Sequence, residues 1–446
     1  MEMLTYRFEE SEFLYTQLYR FIKEDILSGK LLFNEKLPSK RKLSRHLNLS
    51  LTTVEIAYQQ LLDEGYIYSK SKVGYFVEDI QTINLVPGSS TEIVKKEIQR
   101  DKTSFKIEDS HIKTFPFQKF RKYARDAFEA EQFELLERGN IQGELSLRNE
   151  IRRYLYHSRG VNCNNEQIIV GSSTEQLFTL LTRILGKRKY YIENPGYPLI
   201  KKVLRYENKD YINVSVDKDG LMADTLNNEG SVVHVTPSHQ FPTGVVLSAK
   251  RRTEILKWAD EGDRYIIEDD YDSEFRYKGR PLKALQGMSS NDRVIYMSTF
   301  SKSIFPSIRV AYMVLPKNLL DNYFTLENKP NNTVPKHIQF MITAFLKDGE
   351  FERNINRMRK IYKKKLEMSL EAIEKYLEEY NIYGSDAGMH FVLETINKLN
   401  LKDIEINTIQ DYYEGTNPKY RYQYIIGFGS FEDDKIDTII KELLNH

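Results

Sequence analysis

Between residues 167 and 297 five short apolar runs recur with helical stretches between them, at 167–170, 190–193, 232–235, 265–268 and 294–297. A run of about four consecutive aliphatic and aromatic residues reads as a strand buried on both faces. Such runs, alternating with helices, leave few solutions other than an α/β domain built on a mainly parallel sheet. Sheets of that kind collect ligands beyond the carboxyl ends of their strands. Function therefore belongs to the residues that follow each run.

The richest of these follows 294–297: Ser298-Thr299-Phe-Ser301-Lys302, with Arg309 seven residues after the lysine. A lysine amine can form a Schiff base with an aldehyde, and Thr299, Ser301 and Arg309 can hold a phosphate. Pyridoxal 5'-phosphate (PLP) carries both groups. The other run ends offer matching chemistry. Gly171-Ser-Ser173-Thr174 opens a helix, where backbone N–H groups and hydroxyls suit either an anion or a plain N-cap. Tyr197, in Asn194-Pro-Gly-Tyr197-Pro198, can stack on a flat ring or fill a turn. His239, in the loop 236–244, can line the ring or serve as a hydrogen-bonded structural histidine. Asp269 can pair with the pyridine nitrogen and make the ring an electron sink, with Tyr271 on the ring oxygen. No histidine or cysteine lies near this acidic cluster in the sequence, so no metal is expected.

At 446 residues the chain exceeds one ordinary domain. Residues 11–79 read as a winged helix-turn-helix. Its first helix, 13–26, turns Leu14, Leu18, Phe21, Ile22 and Ile26 to one face. Pro38-Ser39 starts a second helix to Leu47, and Ser50 starts a third that Gly65 stops. Strands at 66–69 and 75–77 flank Lys70-Ser-Lys72-Val-Gly74 as the wing. Residues 80–110 read as a linker, partly helical around 92–99, and 111–446 as the large domain. From about 323 the large domain becomes helical and ends in strands at 389–394 and 424–427, a smaller α+β subdomain.

Net charge is only +1, so any nucleic-acid contact must rest on a local patch. One exists: residues 30–77 hold eight basic side chains against four acidic ones. Lys40, Arg41, Arg45, Lys70 and Lys72 are among the basic ones. Ser50, Thr52 and Thr53 open the third helix, the end of a recognition helix that reaches base edges, and Gly74 closes the wing turn. A single cysteine, Cys163, excludes an internal disulfide. With no signal-like N-terminus and no apolar run near about 20 residues, a cytoplasmic protein is expected.

From about residue 115 onward these motifs resemble fold-type I PLP enzymes of the aminotransferase class. Asn140-Ile-Gln142-Gly143-Glu-Leu-Ser-Leu-Arg148 looks like the segment with which such enzymes line the active site across a dimer interface. The resemblance implies Lys302 as the Schiff-base lysine, Asp269 as the pyridine partner, Tyr271 on the ring oxygen and Tyr197 stacked on the ring. It assigns Ser173, Thr174, Thr299 and Arg309 to the phosphate. Residues 11–79 resemble the GntR-type winged helix, in Leu37-Pro-Ser-Lys-Arg41, Leu49-Ser50-Leu-Thr-Thr-Val54, Asp63-Glu-Gly65-Tyr66 and Gly74-Tyr-Phe-Val77. The fused order resembles the MocR subfamily of bacterial regulators. That resemblance implies a homodimeric PLP-binding transcriptional regulator of a double-stranded DNA operator, sensing PLP with or without an amino compound. Its expected targets are genes of vitamin B6 or amino-compound metabolism. The alternative is a catalytically active aminotransferase with an accessory DNA-binding domain.

Three positions depart from these families. Leu51 stands where the winged helix commonly has arginine, and Phe241 where aminotransferases have asparagine before Pro-Thr-Gly. Late in the chain, Tyr424-Ile425-Ile426-Gly427-Phe428 offers isoleucine where aminotransferases hold the substrate carboxylate with arginine. Burying a carboxylate there without a cation costs several kcal/mol. Arg421, on the same strand face but roughly 13 Å away if the chain is extended, is the substitute the sequence offers. Little or no steady-state transaminase activity is expected.

Overall fold

The structure, a computed structural model, describes residues 4–9, 12–79, 103–106, 115–130, 132–279, 282–327, 329, 331–401 and 404–444. The chain divides into two compact units, Met1–Ile98 and Gln99–His446.

The first unit is three helices and a hairpin: α1 (Leu14–Leu27), α2 (Lys40–Leu47), α3 (Leu51–Asp63), β1 (Ile67–Lys70) and β2 (Gly74–Val77). Ser39 caps α2 by accepting from the Lys42 amide, and Ser50 caps α3 by accepting from the Thr53 amide at 3.0 Å. Between them Asn48 takes the left-handed conformation (φ 53°), which turns α2 into α3. Leu18, Ile22, Val54, Ala57, Tyr58, Leu61, Ile67 and Val77 make the core. Tyr58 lies within it and donates its hydroxyl to the Pro38 carbonyl. Leu14, expected on the buried face of α1, is exposed, because it opens the first turn ahead of the core.

In the second unit the first described element is β3 (Thr103–Ser104), inside the stretch expected to be linker. The strand forms because the next residue, Phe105, is buried edge-on against Phe431, an anchor that a short apolar signal in polar sequence conceals. The helix expected near 92–99 lies outside the described residues.

The large sheet comprises β4 (Ile168–Gly171), β5 (Tyr190–Asn194), β6 (Tyr211–Asp217), β7 (Gly220–Leu221), β8 (Val232–Val235), β9 (Tyr265–Asp269), β10 (Val294–Thr299) and β11 (Ala311–Val314). Its order is β4-β11-β10-β9-β8-β5-β6-β7. β5, β6, β8, β9 and β10 run parallel, and β11 is antiparallel to both its neighbours. β4, β5, β8, β9 and most of β10 are buried throughout, which is why their sequences show no alternation. A second, antiparallel sheet contains β12 (Tyr380–Tyr383), β13 (His390–Thr395), β15 (Asn407–Thr408) and β16 (Gln423–Gly427). Between its strands in sequence, β14 (Ile404–Glu405) pairs in parallel with β3. No helix among the described residues is long and apolar enough to cross a membrane.

Candidate functional site

β9 and β10 lie side by side with Asp269 opposite Met297, so both strands end at one edge of the sheet. Just beyond that edge is a cavity of about 530 Å³, a size typical of small-ligand sites. Lys302, Asp269, Tyr271, Tyr197, Thr174 and Thr299 all line it. These six come from the ends of four strands and the segments that follow them, the convergence expected from the sequence.

Asp269 is buried, and the Nε2 of His234 lies 3.6 Å from its Oδ2 without a hydrogen-bond partner among the described residues. The Tyr271 hydroxyl donates to the His239 carbonyl at 3.0 Å, and burial holds that phenol well above its ordinary pKa, so it is neutral. Thr299 orders the turn before Lys302: its Oγ1 accepts from the Ser301 amide at 3.1 Å and donates to the Val310 carbonyl. Tyr197 is partly exposed at the mouth, edge-on to Phe241, and Phe241 is in turn edge-on to Tyr412.

Four expected residues do not line this cavity. Ser173 is the N-cap of the helix Thr174–Ile184 and accepts from the Gln176 amide. Ser301 contributes its backbone to the turn. Arg309 is exposed, has a left-handed backbone (φ 49°) and lines a second cavity with Ser172, Phe305 and Ser307. His239 is fully buried: its Nδ1 is 2.9 Å from Asp272, and its ring lies tilted against that of His390, 4.5 Å between centroids. Gly388 keeps that space open, since a Cβ there would fall 2.0 Å from His239 Nδ1. Gln240 is likewise spent on Glu193 and the carbonyls of Pro195 and Phe241.

Arg421 is not on a strand. Pro418 and the Asn417 cap start a 3-10 turn, Pro418–Tyr422, and the strand begins only at Gln423. Arg421 is exposed in that turn and does not line the cavity. Ile425 does, and among the described lining residues there is no arginine. Sequence reasoning missed Phe105, Lys106, Lys202, Asn407 and Tyr412 as lining residues. Only the aromatic-basic pair Phe105-Lys106, at the end of a polar stretch, gave any signal.

In the first unit, Arg41 and Arg45 on α2 and Lys72 in the wing are exposed and make no ion pair among the described residues. Lys40 packs over the Tyr75 ring, and Lys70 over Phe76 at 4.6 Å. Thr52 is exposed at the start of α3, while Ser50 and Thr53 bond to each other. The acidic side chains Glu64 and Asp63 are engaged elsewhere, with Lys23 and Tyr19 and with Gln59. Gly74 has φ 138°, which a side chain would strain.

A winged helix followed by an aminotransferase-type α/β domain defines a DNA-binding regulator. Residues 14–77 match the bacterial regulatory proteins of the gntR family, and residues 105–408 match aminotransferase class I and II. The HTH-type transcriptional regulator YdeL of Bacillus subtilis is 37% identical over 96% of this chain and 96% of its own. The pyridoxine biosynthesis regulator PdxR of Corynebacterium glutamicum is 30% identical over 96% of this chain and 94% of its own. A Pyrococcus horikoshii kynurenine aminotransferase superposes with TM-score 0.68 over 77% of this chain and 90% of its own, at 24% identity. The chain belongs to the GntR-type transcriptional regulators that carry an aminotransferase-class domain, the MocR subfamily.

Proposed function

We propose that this regulator takes its signal at the Lys302 cavity, with PLP as the cofactor and without sustained transamination. The cavity residues fit the group: a lysine amine, a buried carboxylate backed by His234, an aromatic wall and threonine hydroxyls. When bound, PLP supplies an aldehyde that joins an amine and a ring that accepts electrons. Lys302 holds the aldehyde end, Asp269 pairs with the pyridine nitrogen, and Tyr197 covers the ring. Tyr271 faces the ring oxygen. Thr174, Thr299 and the neighbouring Ser173 and Ser301 hold the phosphate, joined by Arg309.

The observation that carries the regulatory reading is Ile425. Aminotransferases hold the substrate α-carboxylate with an arginine at this point of the late strand, and here the strand supplies a hydrocarbon to the wall. Ligand-dependent control requires that occupancy favour one DNA-binding state over another, so PLP must bind the two states unequally. The winged helix supplies the DNA contacts, with Arg41, Arg45 and Lys72 on phosphates beside Lys40 and Lys70, and Ser50, Thr52 and Thr53 at the bases. Gly74 shapes the wing. A homodimer supplies two such units for a two-fold operator. The cytoplasm is the matching compartment. The PdxR relative supports vitamin B6 genes as targets.

The test is the visible absorption spectrum of the purified chain with PLP, for wild type and Lys302→Ala, followed by amino acids and then keto acids. A Lys302-dependent band without catalytic cycling is expected. Turnover that amino acids drive and keto acids reverse would instead make the chain a working aminotransferase.

A further inference from the structure

α3 contains no lysine and no arginine. Guanine is read in the major groove chiefly by those two side chains, which donate to its O6 and N7 acceptors. The exposed cations of this unit sit instead on α2 and in the wing, at Arg41, Arg45 and Lys72, where they suit phosphates. Base discrimination by α3 therefore falls to side chains that carry no positive charge.

Val54, Ala57, Tyr58 and Leu61 turn one face of α3 into the core. The opposite face is exposed at Leu51, Thr52, Glu55, Ile56 and Gln59, the spacing of a single helix side. At its start Ser50 and Thr53 are tied to each other. The Ser50 Oγ accepts from the Thr53 amide at 3.0 Å, and the two hydroxyls lie 2.8 Å apart. Gln59 donates to Asp63 one turn further on. Leu51, 37% exposed, and Ile56, 44% exposed, are the apolar part of this face, and neither packs into the core of the unit. The first residues of a recognition helix are those that reach base edges, which singles out Leu51.

An aliphatic side chain at a base edge has one distinctive partner in the major groove, the C5-methyl group of thymine. Against guanine the same leucine would cover two acceptors and supply no donor, which is costly. Glu55, one turn along the same row, presents a carboxylate that repels those acceptors as well.

We propose that Leu51 is a specificity-determining residue that reads a thymine methyl group in each operator half-site. The contact buries hydrocarbon against hydrocarbon, while α2 and the wing hold the backbone of the duplex. This inference rests on the reading of α3 as the helix that enters the major groove.

The experiment enriches a pool of random duplexes on the full-length chain. The best duplex is then remade with deoxyuridine in place of each thymine in turn, which removes the methyl group and keeps the hydrogen-bonding edge. For wild type, the exchange at one position of each half-site weakens binding about fourfold, the worth of one buried methyl group. Leu51→Met keeps that sensitivity. Leu51→Ala brings the thymine and deoxyuridine duplexes to equal affinity, and Leu51→Arg, enriched on the same pool, selects guanine at that position. The inference is overturned if no single exchange weakens wild type, if Leu51→Ala stays as sensitive as wild type, or if Leu51→Arg still selects thymine there. Should Leu51→Ala bind neither duplex, the base that Leu51→Arg selects decides. A wild-type chain that enriches no sequence at all defeats the reading of α3 as the recognition helix, whereas one that enriches a sequence blind to its methyl groups defeats the role of Leu51 alone.

Discussion

Beneath the cavity floor, single carboxyl groups carry an energetic burden that depends on pH. Asp270 accepts from Arg159 Nε at 2.7 Å, Tyr296 at 2.6 Å and Ser273 at 2.9 Å, a full set for one oxygen. Glu268 and Glu274 sit near that charge with less compensation. Burial, and then the Asp270 charge, raise both, Glu274 to about 7. One Glu274 oxygen accepts from Tyr154, and the other has no partner among the described residues. A carboxyl raised in the folded state binds more protons there than in the unfolded chain between its two pKa values. Its contribution is therefore fully present below the unfolded value and lost as pH rises through about 7. The loss is about 3 kcal/mol at most. Glu274→Gln removes the titration, so melting temperatures from pH 5 to 8 should fall less steeply than in wild type. An unchanged slope would show that Glu274 ionises normally. Gly388→Ala makes a sharper demand: with φ 75° and His239 in the way, it should cost several kcal/mol and lower the melting temperature of the large domain. Substituting a half-buried glycine with open space around it, such as Gly349 (φ 68°), tests backbone strain alone.

At the scale of elements, α2 and the wing present cations that no internal carboxylate neutralises among the described residues. Binding DNA through them sacrifices no ion pair. Arg41→Ala should weaken operator binding and lower the salt slope by about one. PLP loading should be untouched, because the residue belongs to the other compact unit. Equal weakening of PLP loading would mean that the variant is misfolded. The elements themselves were largely legible in the sequence. Five buried strands announced themselves as unbroken apolar runs, and Ser39 and Ser50 announced two helix starts. Their ends then gathered Lys302, Asp269, Tyr271, Tyr197, Thr174 and Thr299. What stayed hidden depended on long-range partners. β3 is two residues long and exists only because Ile404–Glu405 and Phe431 meet it. Lys106 could not be assigned to the cavity without that pairing. His239 looked available until Gly388 and Asp272 enclosed it. Arg421 looked extended until Pro418 turned the chain.

The whole molecule has an unfinished surface. Between residues 117 and 145 the side chains of Phe117, Phe128, Phe133, Leu136, Ile141 and Leu145 are all exposed, Phe133 and Leu136 by more than four-fifths. A groove nearby is lined by Phe128, Leu135, Leu136 and Ile141 together with Val334 and Pro335. Scattered apolar residues are ordinary on a protein surface, but so many within one short stretch mark a contact. The segment 140–148 adjoins them and is rigid: Gln142 accepts from the Val170 amide at 2.7 Å, and Arg148 bonds to the carbonyls of Gly143 and Asn165. A preformed surface of this kind suits a second copy of the chain. Light scattering of the full chain should then give twice the mass of 52.6 kDa. Leu136→Glu puts a charge into the contact and should shift the mass toward a monomer with the fold intact by circular dichroism. A monomer engages one operator half-site where a dimer engages two, so its affinity for the full operator should fall about a hundredfold. Its affinity for an isolated half-site should hold. If Leu136→Glu stays dimeric, the contact lies elsewhere; if it is monomeric yet binds the full operator undiminished, the two winged helices do not act together.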